Sequence, residues 1–448
     1  MSFMSRLRLV PIILLTRLLV RLLKLSGRGS GTALPGLLVN RYFPFAFADL
    51  VSQIPKVVVV TGTNGKTTTQ TMLSAILHPV SGLKLLRNKS GANLAQGILS
   101  QLLREAHWSG RLEFTHAVFE VEEATLPRIA HLLRPGIIAV TNLYRDQLDA
   151  YGEVDITEKL IRSGIAQCPQ AEVVTNGDDP RTSRLTEGLP NVTYFTSLPE
   201  DYAQTVPYEG EPRSTAHVSD NILRAKNIQV RADLSTDVTV EGCLDQTEVA
   251  DLQLNVASPG FFHVYNALSA IAIAKRLGVS DRDITQGFQQ FQPAFGRGEI
   301  LTAAGPGNQV VNYQVLLVKN PVGLSLSLDL LSQVPNLKLL FAINDNIADS
   351  RDVSWLWDSQ LELLNKADID WLACTGIRAK DMAVRLKYAL DPAVYDVQQV
   401  VTEERISSAV ANTLKRAQAG DTIYVLPTYT AMLEFRKVMG RTLDLIPE

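Results

Sequence analysis

The sequence predicts an α/β protein: a phosphate-loop central domain followed by a second, Rossmann-like α/β domain. Three observations carry that expectation. Val57–Val60 run into Thr61-Gly62-Thr63-Asn64-Gly65-Lys66-Thr67-Thr68 and then into an apolar helical pattern of Met72, Leu73, Ile76 and Leu77. That is strand, glycine-rich turn and helix in register. Short apolar runs then alternate with helical patterns, and do so again beyond Leu301, as parallel sheets require. The ends of those runs are polar, which is where open α/β sheets bind ligands.

The 448 residues are enough for two or three domains, and 46% hydrophobic against 20% charged residues is a globular balance. A net charge of −3 leaves no footprint for nucleic acid. The three cysteines, Cys168, Cys243 and Cys374, are too scattered for a disulfide framework or a thiolate metal site, which fits a reducing, cytoplasmic setting.

Residues 1–45 form a basic amphipathic segment, with Arg6, Arg8, Arg17, Arg21 and Lys24 among leucines. Its longest uncharged apolar run, Leu9 to Leu15, is too short to span a bilayer. Two readings stand side by side. The helix lies on the anionic inner face of the plasma membrane, or its leucines dock on the body and its arginines are solvated. Ser26–Gly31 reads as a flexible break.

The central domain is expected over 46–298. In its loop, Gly62 and Gly65 let backbone N–H groups approach an anion, and the following helix adds positive potential. Lys66 is placed to reach the β- and γ-phosphates of a nucleotide, and Thr67 to hold Mg²⁺. The loop reads as a surface turn. Asn88–Asn93 is a polar stretch that either meets phosphate or caps the next helix. The strand His116–Val121 ends in acidic residues, so Glu120 or Glu122 is a candidate Mg²⁺ ligand, and Glu123 reads as solvated charge. Thr141-Asn142 closes another strand, and Arg145–Asp149 continues it with residues suited to a metal–phosphate site. Residues 198–255 are polar with short alternating runs and suggest an inserted β segment. A helix from Tyr265 to Leu277 follows, and Gly296-Arg297-Gly298 closes this half.

The C-terminal domain is expected over 299–448. Strands are expected at Val310-Val311, Leu339–Ile343, Trp371–Ala373 and Thr422–Leu426, with helices at 323–332, 379–388 and 403–417. Polar tips at Lys319-Asn320-Pro321, Asn344–Asn346 and Pro427–Thr430 imply a substrate between two facing α/β domains.

These motifs, with Asn176, Asp178-Asp179-Pro180 and Gly260-Phe261 through Asn266, resemble the Mur ligase superfamily. Arg351-Asp352-Val353-Ser354-Trp355 and Leu426–Thr430 resemble, more narrowly, its MurT subfamily, the Mur-ligase-like subunits of lipid II isoglutaminyl synthase. The resemblance covers roughly residue 30 to the C-terminus. It implies ATP-dependent amidation, through an acyl phosphate, of the D-glutamate α-carboxylate of the lipid II stem peptide, with Mg²⁺ as cofactor. Ammonia would come from a GatD-type class I glutamine amidotransferase partner. The resemblance places ATP contacts on Gly62 through Thr68, including Thr63, Asn64 and Gly65, and on Asn142, Asn266 and Arg297. Catalytic roles fall on Lys66 and Glu120. Asp352 would complete the partner's Cys–His pair, against the simpler reading of a salt bridge with Arg351 or a helix cap.

Two departures from the family pattern stand out. Other members carry four cysteines in a zinc ribbon. Here the first pair aligns with Val206–Gly210 and the second has no counterpart, so no structural zinc is expected. Amino-acid-adding Mur ligases have His where this chain has Gln147, and Lys159 is poorly placed for their carbamylated lysine. Two alternatives remain open: a stand-alone ligase adding an amino acid to a UDP-muropeptide, and a non-catalytic, ATP-gated scaffold for the amidotransferase.

Overall fold

A computed structural model describes residues 3–25, 34–88, 92–144, 154–196, 220–293, 296–305, 309–393, 396 and 400–443. Two sheets organise them. The first has nine strands: β1 (Lys56–Thr61), β2 (Leu85–Arg87), β3 (His116–Glu120), β4 (Ile137–Val140), β5 (Glu172–Asn176), β6 (Val192–Thr196), β7 (Ile222–Val230), β8 (Thr236–Leu244) and β9 (Thr247–Val256). Their order is β2-β3-β1-β4-β5-β6-β7-β8-β9. Pairing is parallel from β2 to β7 and antiparallel through β8 and β9. The described part of 198–255 therefore continues the central sheet.

The valines of β1 alternate between two cores, because a central strand is covered on both faces. Val57 and Val59 face the helices Ala95–Glu105, Leu126–Leu133 and Val154–Ala166. Val58 and Val60 face Lys66–Leu77, Phe262–Arg276 and Asp281–Gln290. Register carries the chemistry to one end: Val60 lies opposite Glu120, and Thr61 opposite Val140.

The second sheet has six strands: β10 (Arg297–Ala304), β11 (Val310–Leu316), β12 (Leu337–Ala342), β13 (Ile369–Thr375), β14 (Val401–Glu403) and β15 (Thr422–Pro427). Their order is β10-β11-β15-β12-β13-β14, antiparallel only at β10–β11. Helices Pro321–Leu331 and Ala379–Ala389 cover one face, and Ile406–Arg416 and Tyr429–Leu443 the other. The sheet is thus doubly wound. Arg297 opens β10, so the stretch that reads in sequence as the end of the first half begins the second sheet.

The N-terminal helix Phe3–Leu25 packs on the first sheet's helices through Leu9, Ile12 and Ile13. Two of its arginines are not simply solvated. Arg8 pairs with Asp49 at 2.6 Å and lies over the Phe45 ring, and Arg17 donates to the Ala106 carbonyl at 2.7 Å. No described helix is long and apolar enough to cross a membrane.

Candidate active site

The phosphate loop occupies the carboxyl end of β1 and is shaped by its neighbours. Gly62 and Gly65 have φ of 115° and 88°, which favour glycine. A Cβ on Gly65 would stand 2.0 Å from Asn266 Oδ1. Asn142 grips the loop at both ends of its amide: Oδ1 accepts the Asn64 N–H at 2.8 Å, and Nδ2 donates to the Asn64 carbonyl at 3.0 Å. The Thr141 hydroxyl donates to the same carbonyl at 2.7 Å, and the Thr63 N–H donates to the Asn142 carbonyl at 2.9 Å. The β4 tip therefore acts as a template for the loop.

Lys66 is 8% exposed, so the loop is not the surface turn the sequence suggests. Its ammonium donates to the Gly62 and Thr63 carbonyls and forms an ion pair with Glu123 at 2.8 Å. Glu123, read in sequence as solvated charge, is also 8% exposed. The cause is local: the chain leaves β3 and turns at once over 123–125, folding the carboxylate back under the loop.

Thr67 and Glu120 meet as a Mg²⁺ pair would require, the threonine hydroxyl donating to Glu120 Oε2 at 2.8 Å. Glu120 is buried, and its N–H donates to Asn88 Oδ1 at 2.9 Å. Asn88 also accepts from Gln70 at 2.8 Å and donates to the carbonyls of Glu120 and Ala92 at 2.9 Å. Asn88 thus braces the strand end that presents Glu120. Residues 89–91 lie outside the described residues, as do Arg145, Gln147 and Asp149. Lys159 sits exposed on Val154–Ala166.

Thr68 tests whether a nucleotide fits. Its hydroxyl is buried in the first turn of the helix and has no partner among the described residues. An unmade hydrogen bond there is costly, and a phosphate oxygen would supply the missing partner. The loop, Lys66, Thr67 and Glu120 fit a Mg²⁺-nucleotide by their chemistry: an ammonium beside the loop for phosphate, and a hydroxyl and a carboxylate 2.8 Å apart for the cation.

Two further groups close the site. Asn266 approaches Thr69 at 3.5 Å and contacts His263 Nδ1 at 3.1 Å through its Nδ2. Burial, and then the charge of Arg297, push the His263 pKa down to about 3. Its ring is therefore neutral and Nδ1 accepts from Asn266, fixing the amide with Oδ1 toward Gly65. Burial pulls Arg297 below its usual range, while Glu120 holds it up. Glu120 and His263, from the first sheet, thus both feel the charge of the residue that opens β10. Sequence reasoning missed His263, which lies in a helix whose residues 263–274 are all buried and so looks like core.

The second sheet reaches the loop through Asn320. Its amide pairs reciprocally with that of Asn64, at 3.0 and 3.4 Å, and its Oδ1 also caps Pro321–Leu331 by accepting from the Gly323 N–H at 2.8 Å. Beside Thr67, a cavity of about 830 Å³ opens over the edge strand β2, lined by Gln70, Ser74, Arg87, Asn88 and Gln101 among others.

Asp352 follows β12 in the second half of the chain. Its Oδ1 accepts the Ser354 N–H at 2.8 Å, so it does order the turn before Trp355. Exposed Ile347, Trp357, Ile377 and Tyr388 stand on the neighbouring segments. Asp349, in the same motif, is buried and accepts from the Thr430 N–H at 2.7 Å and the Asn346 N–H at 3.2 Å. It ties this loop to the last helix. Cys168 and Cys374 are buried, and burial pushes both thiols up, away from thiolate chemistry. Val206–Gly210 lies outside the described residues.

The Mur ligase middle domain family matches residues 60–274, and the MurT ligase C-terminal family matches 317–432. The lipid II isoglutaminyl synthase (glutamine-hydrolyzing) subunit MurT of Streptococcus pneumoniae is 33% identical, over 93% of this chain and 94% of its own length. That of Staphylococcus aureus is 27% identical, over 95% and 98%. Among solved structures, MurF from Acinetobacter baumannii superposes with a TM-score of 0.65 at 18% identity, over 89% of this chain and 79% of that one. At that identity the likeness establishes the fold alone.

Proposed function

The chain belongs to the MurT family of Mur-ligase-fold proteins, and from that membership we propose that it is the ATP-consuming synthetase subunit of a lipid II isoglutaminyl synthase. Its reaction is amidation of the D-glutamate α-carboxylate of the lipid II stem peptide to D-isoglutamine, a step of peptidoglycan synthesis. A carboxylate is a poor electrophile, so its oxygen first attacks the γ-phosphorus of ATP and ADP leaves. Ammonia then adds to the carbonyl carbon of the acyl phosphate. Phosphate departs with the C–O bond, and the nitrogen gives up a proton.

The observation that carries this reading is the Thr67–Glu120 pair at the mouth of a phosphate loop whose Thr68 hydroxyl has no partner among the described residues. Thr67 and Glu120 would hold Mg²⁺, which when bound offsets charge on the transferring phosphoryl group. Lys66 brings its ammonium to the β- and γ-phosphates. The loop backbone cradles them, and Asn266 and Arg297 flank the nucleotide. Asn142 contributes by holding the loop in shape.

Ammonia comes from a separate GatD-type class I amidotransferase: Cys168 and Cys374 are buried thiols with raised pKa values, and the half-buried Cys243 lies within strand β8, not on a nucleophile turn. Asp352 orients the partner's histidine, and the exposed apolar residues beside it form the docking surface. The labour divides between a central domain, 46–298, and a C-terminal domain, 299–448. The protein works in the cytoplasm, at the inner face of the membrane that carries its substrate.

The test is reconstitution of the chain with a class I amidotransferase, ATP, glutamine and lipid II. Mass spectrometry should show one carboxylate converted to an amide, with ADP formed in step. Incorporation of an amino acid in place of ammonia would make the chain a Mur-type ligase. Faster glutamine hydrolysis with no ATP consumed against any acceptor would make it a scaffold.

A further inference from the structure

We propose that the two N-terminal helices form an interfacial anchor that seats the chain on an anionic lipid bilayer. The helix Phe3–Leu25 is apolar on both sides. Leu9, Ile12, Ile13 and Thr16 are buried against the body. The opposite side carries Leu7, Pro11, Leu14, Leu18 and Leu22, all exposed and spaced i, i+4, i+7, i+11 and i+15, which is one helical face. Leu14 and Leu18 are 52% and 55% exposed. The adjoining helix Leu34–Tyr42 repeats the arrangement: Pro35, Gly36 and Val39 are buried, while Leu34, Leu37, Leu38 and Arg41 face out at i, i+3, i+4 and i+7. Monomeric soluble proteins rarely leave such faces open without a use for them.

Charge identifies the occupant. The first 48 residues hold seven basic residues and no acidic one, in a chain whose net charge is −3. Arg8 and Arg17 are spent on the body, whereas Arg21 is exposed beside the first leucine face and Arg41 is exposed at the C-terminal end of the second. A second copy of the chain would bring the same positive charge to this surface; anionic headgroups bring the opposite one. Exposed Tyr42 ends the second helix and exposed Phe43 follows it, aromatic residues of the kind that settle at headgroup depth. No described helix is long and apolar enough to cross a membrane, so the pair would lie in the plane of the bilayer.

The anchor is also joined to the site. Within the single helix Ala95–Glu105, Ser100 accepts the Gly36 N–H at 2.8 Å and Gln101 lines the cavity beside Thr67. A rigid element therefore links the lipid face to the cavity. The use of such an anchor rests on the lipid-linked acceptor proposed above; its binding to bilayers does not.

Flotation of the full chain with vesicles, without nucleotide or acceptor, tests it. The chain should partition onto phosphatidylcholine vesicles containing phosphatidylglycerol about tenfold more strongly than onto phosphatidylcholine alone. Leu14→Glu with Leu18→Glu should lower that partition at least about tenfold. These positions are exposed, so circular dichroism and the melting temperature should be unchanged. Arg21→Glu with Arg41→Glu should remove the preference for anionic vesicles. Equal partition of wild type and the leucine variant, or indifference to lipid charge, would overturn the proposal. So would a lipid-free dimer, seen by sedimentation velocity, that the leucine variant dissociates. Failure of amidation in the reconstituted system would leave these measurements untouched.

Discussion

Acidification should strain the site through His263. Burial and Arg297 hold its pKa at about 3, against 6.5 in an exposed chain. The folded-state value is depressed, so the unfolded chain takes up a proton first as pH falls. Stability is complete above about pH 6.5 and is lost progressively as pH drops toward about 3. One pKa unit is worth about 1.4 kcal/mol, so about 2 kcal/mol is gone by about pH 5. Asp179 works the other way. Burial raises its carboxyl to about 6 from 3.8, even though it accepts N–H bonds from Leu143, Arg181 and Thr182. Its contribution is present below about pH 4 and is lost as pH rises through about 6, offsetting roughly 1 kcal/mol over the same window. The two effects separate by comparing wild type with His263→Gln, in guanidinium denaturation followed by circular dichroism at about pH 7 and about pH 5. Wild type should lose about 2 kcal/mol more than the variant on acidification. Hydrogen exchange of peptides from Phe262–Arg276 assigns the loss to the first sheet. Identical pH dependence in the two proteins would refute the argument and imply that the ring carries its proton in the fold.

Lys66→Ala should lower amidation by at least about 10²-fold. It should also destabilise the chain by about 3–5 kcal/mol, because Glu123 is left buried and unpaired. Lys66→Ala combined with Glu123→Gln should recover the stability in a denaturant titration but not the turnover. Asp352→Asn, complexed with the wild-type amidotransferase, should lose glutamine-driven amidation by about 10⁴-fold and keep amidation driven by ammonium at high pH. Loss of both activities with the complex intact by gel filtration would move Asp352 into the synthetase site. Metal analysis of purified chain should give well under about one zinc per molecule. Stoichiometric zinc that survives dialysis would show that ligands other than the ribbon cysteines have been recruited.

Much of the site could be read from residue types. Gly62, Gly65, Lys66 and Thr67 are recognisable because backbone conformation, charge and hydroxyl chemistry must coincide there, and a β-branched run before them marks the strand. The second sheet was equally legible: strands and helices near 339–343, 371–373, 379–388 and 422–426 fall within a few residues of β12, β13, Ala379–Ala389 and β15. What could not be read depends on which way the chain turns after an element. Glu123 looks solvated until the bend at 123–125 folds it beneath Lys66. Asn88 and Asn142 read as ligand contacts, and sequence gives no sign that their amides also brace backbone, as both do here. Asn320 lies 256 residues from Asn64 in sequence, a pairing that no local pattern announces.

That pairing sets the terms for movement between the two halves. Swinging the second sheet away from the first must part the Asn64 and Asn320 amides. Exchanging such bonds for water costs only about 1 kcal/mol each, whereas Leu234, from the turn between β7 and β8, would also have to leave the second sheet's core. Asn320 would not dangle once released, since its Oδ1 still caps the helix behind it. Asn64 would be left on the nucleotide side of the gap with a free amide. A ligand that engages that amide therefore competes with closure, and one that leaves it alone does not. The phosphate loop and the second sheet thus share one side chain, Asn64, as a point of contact.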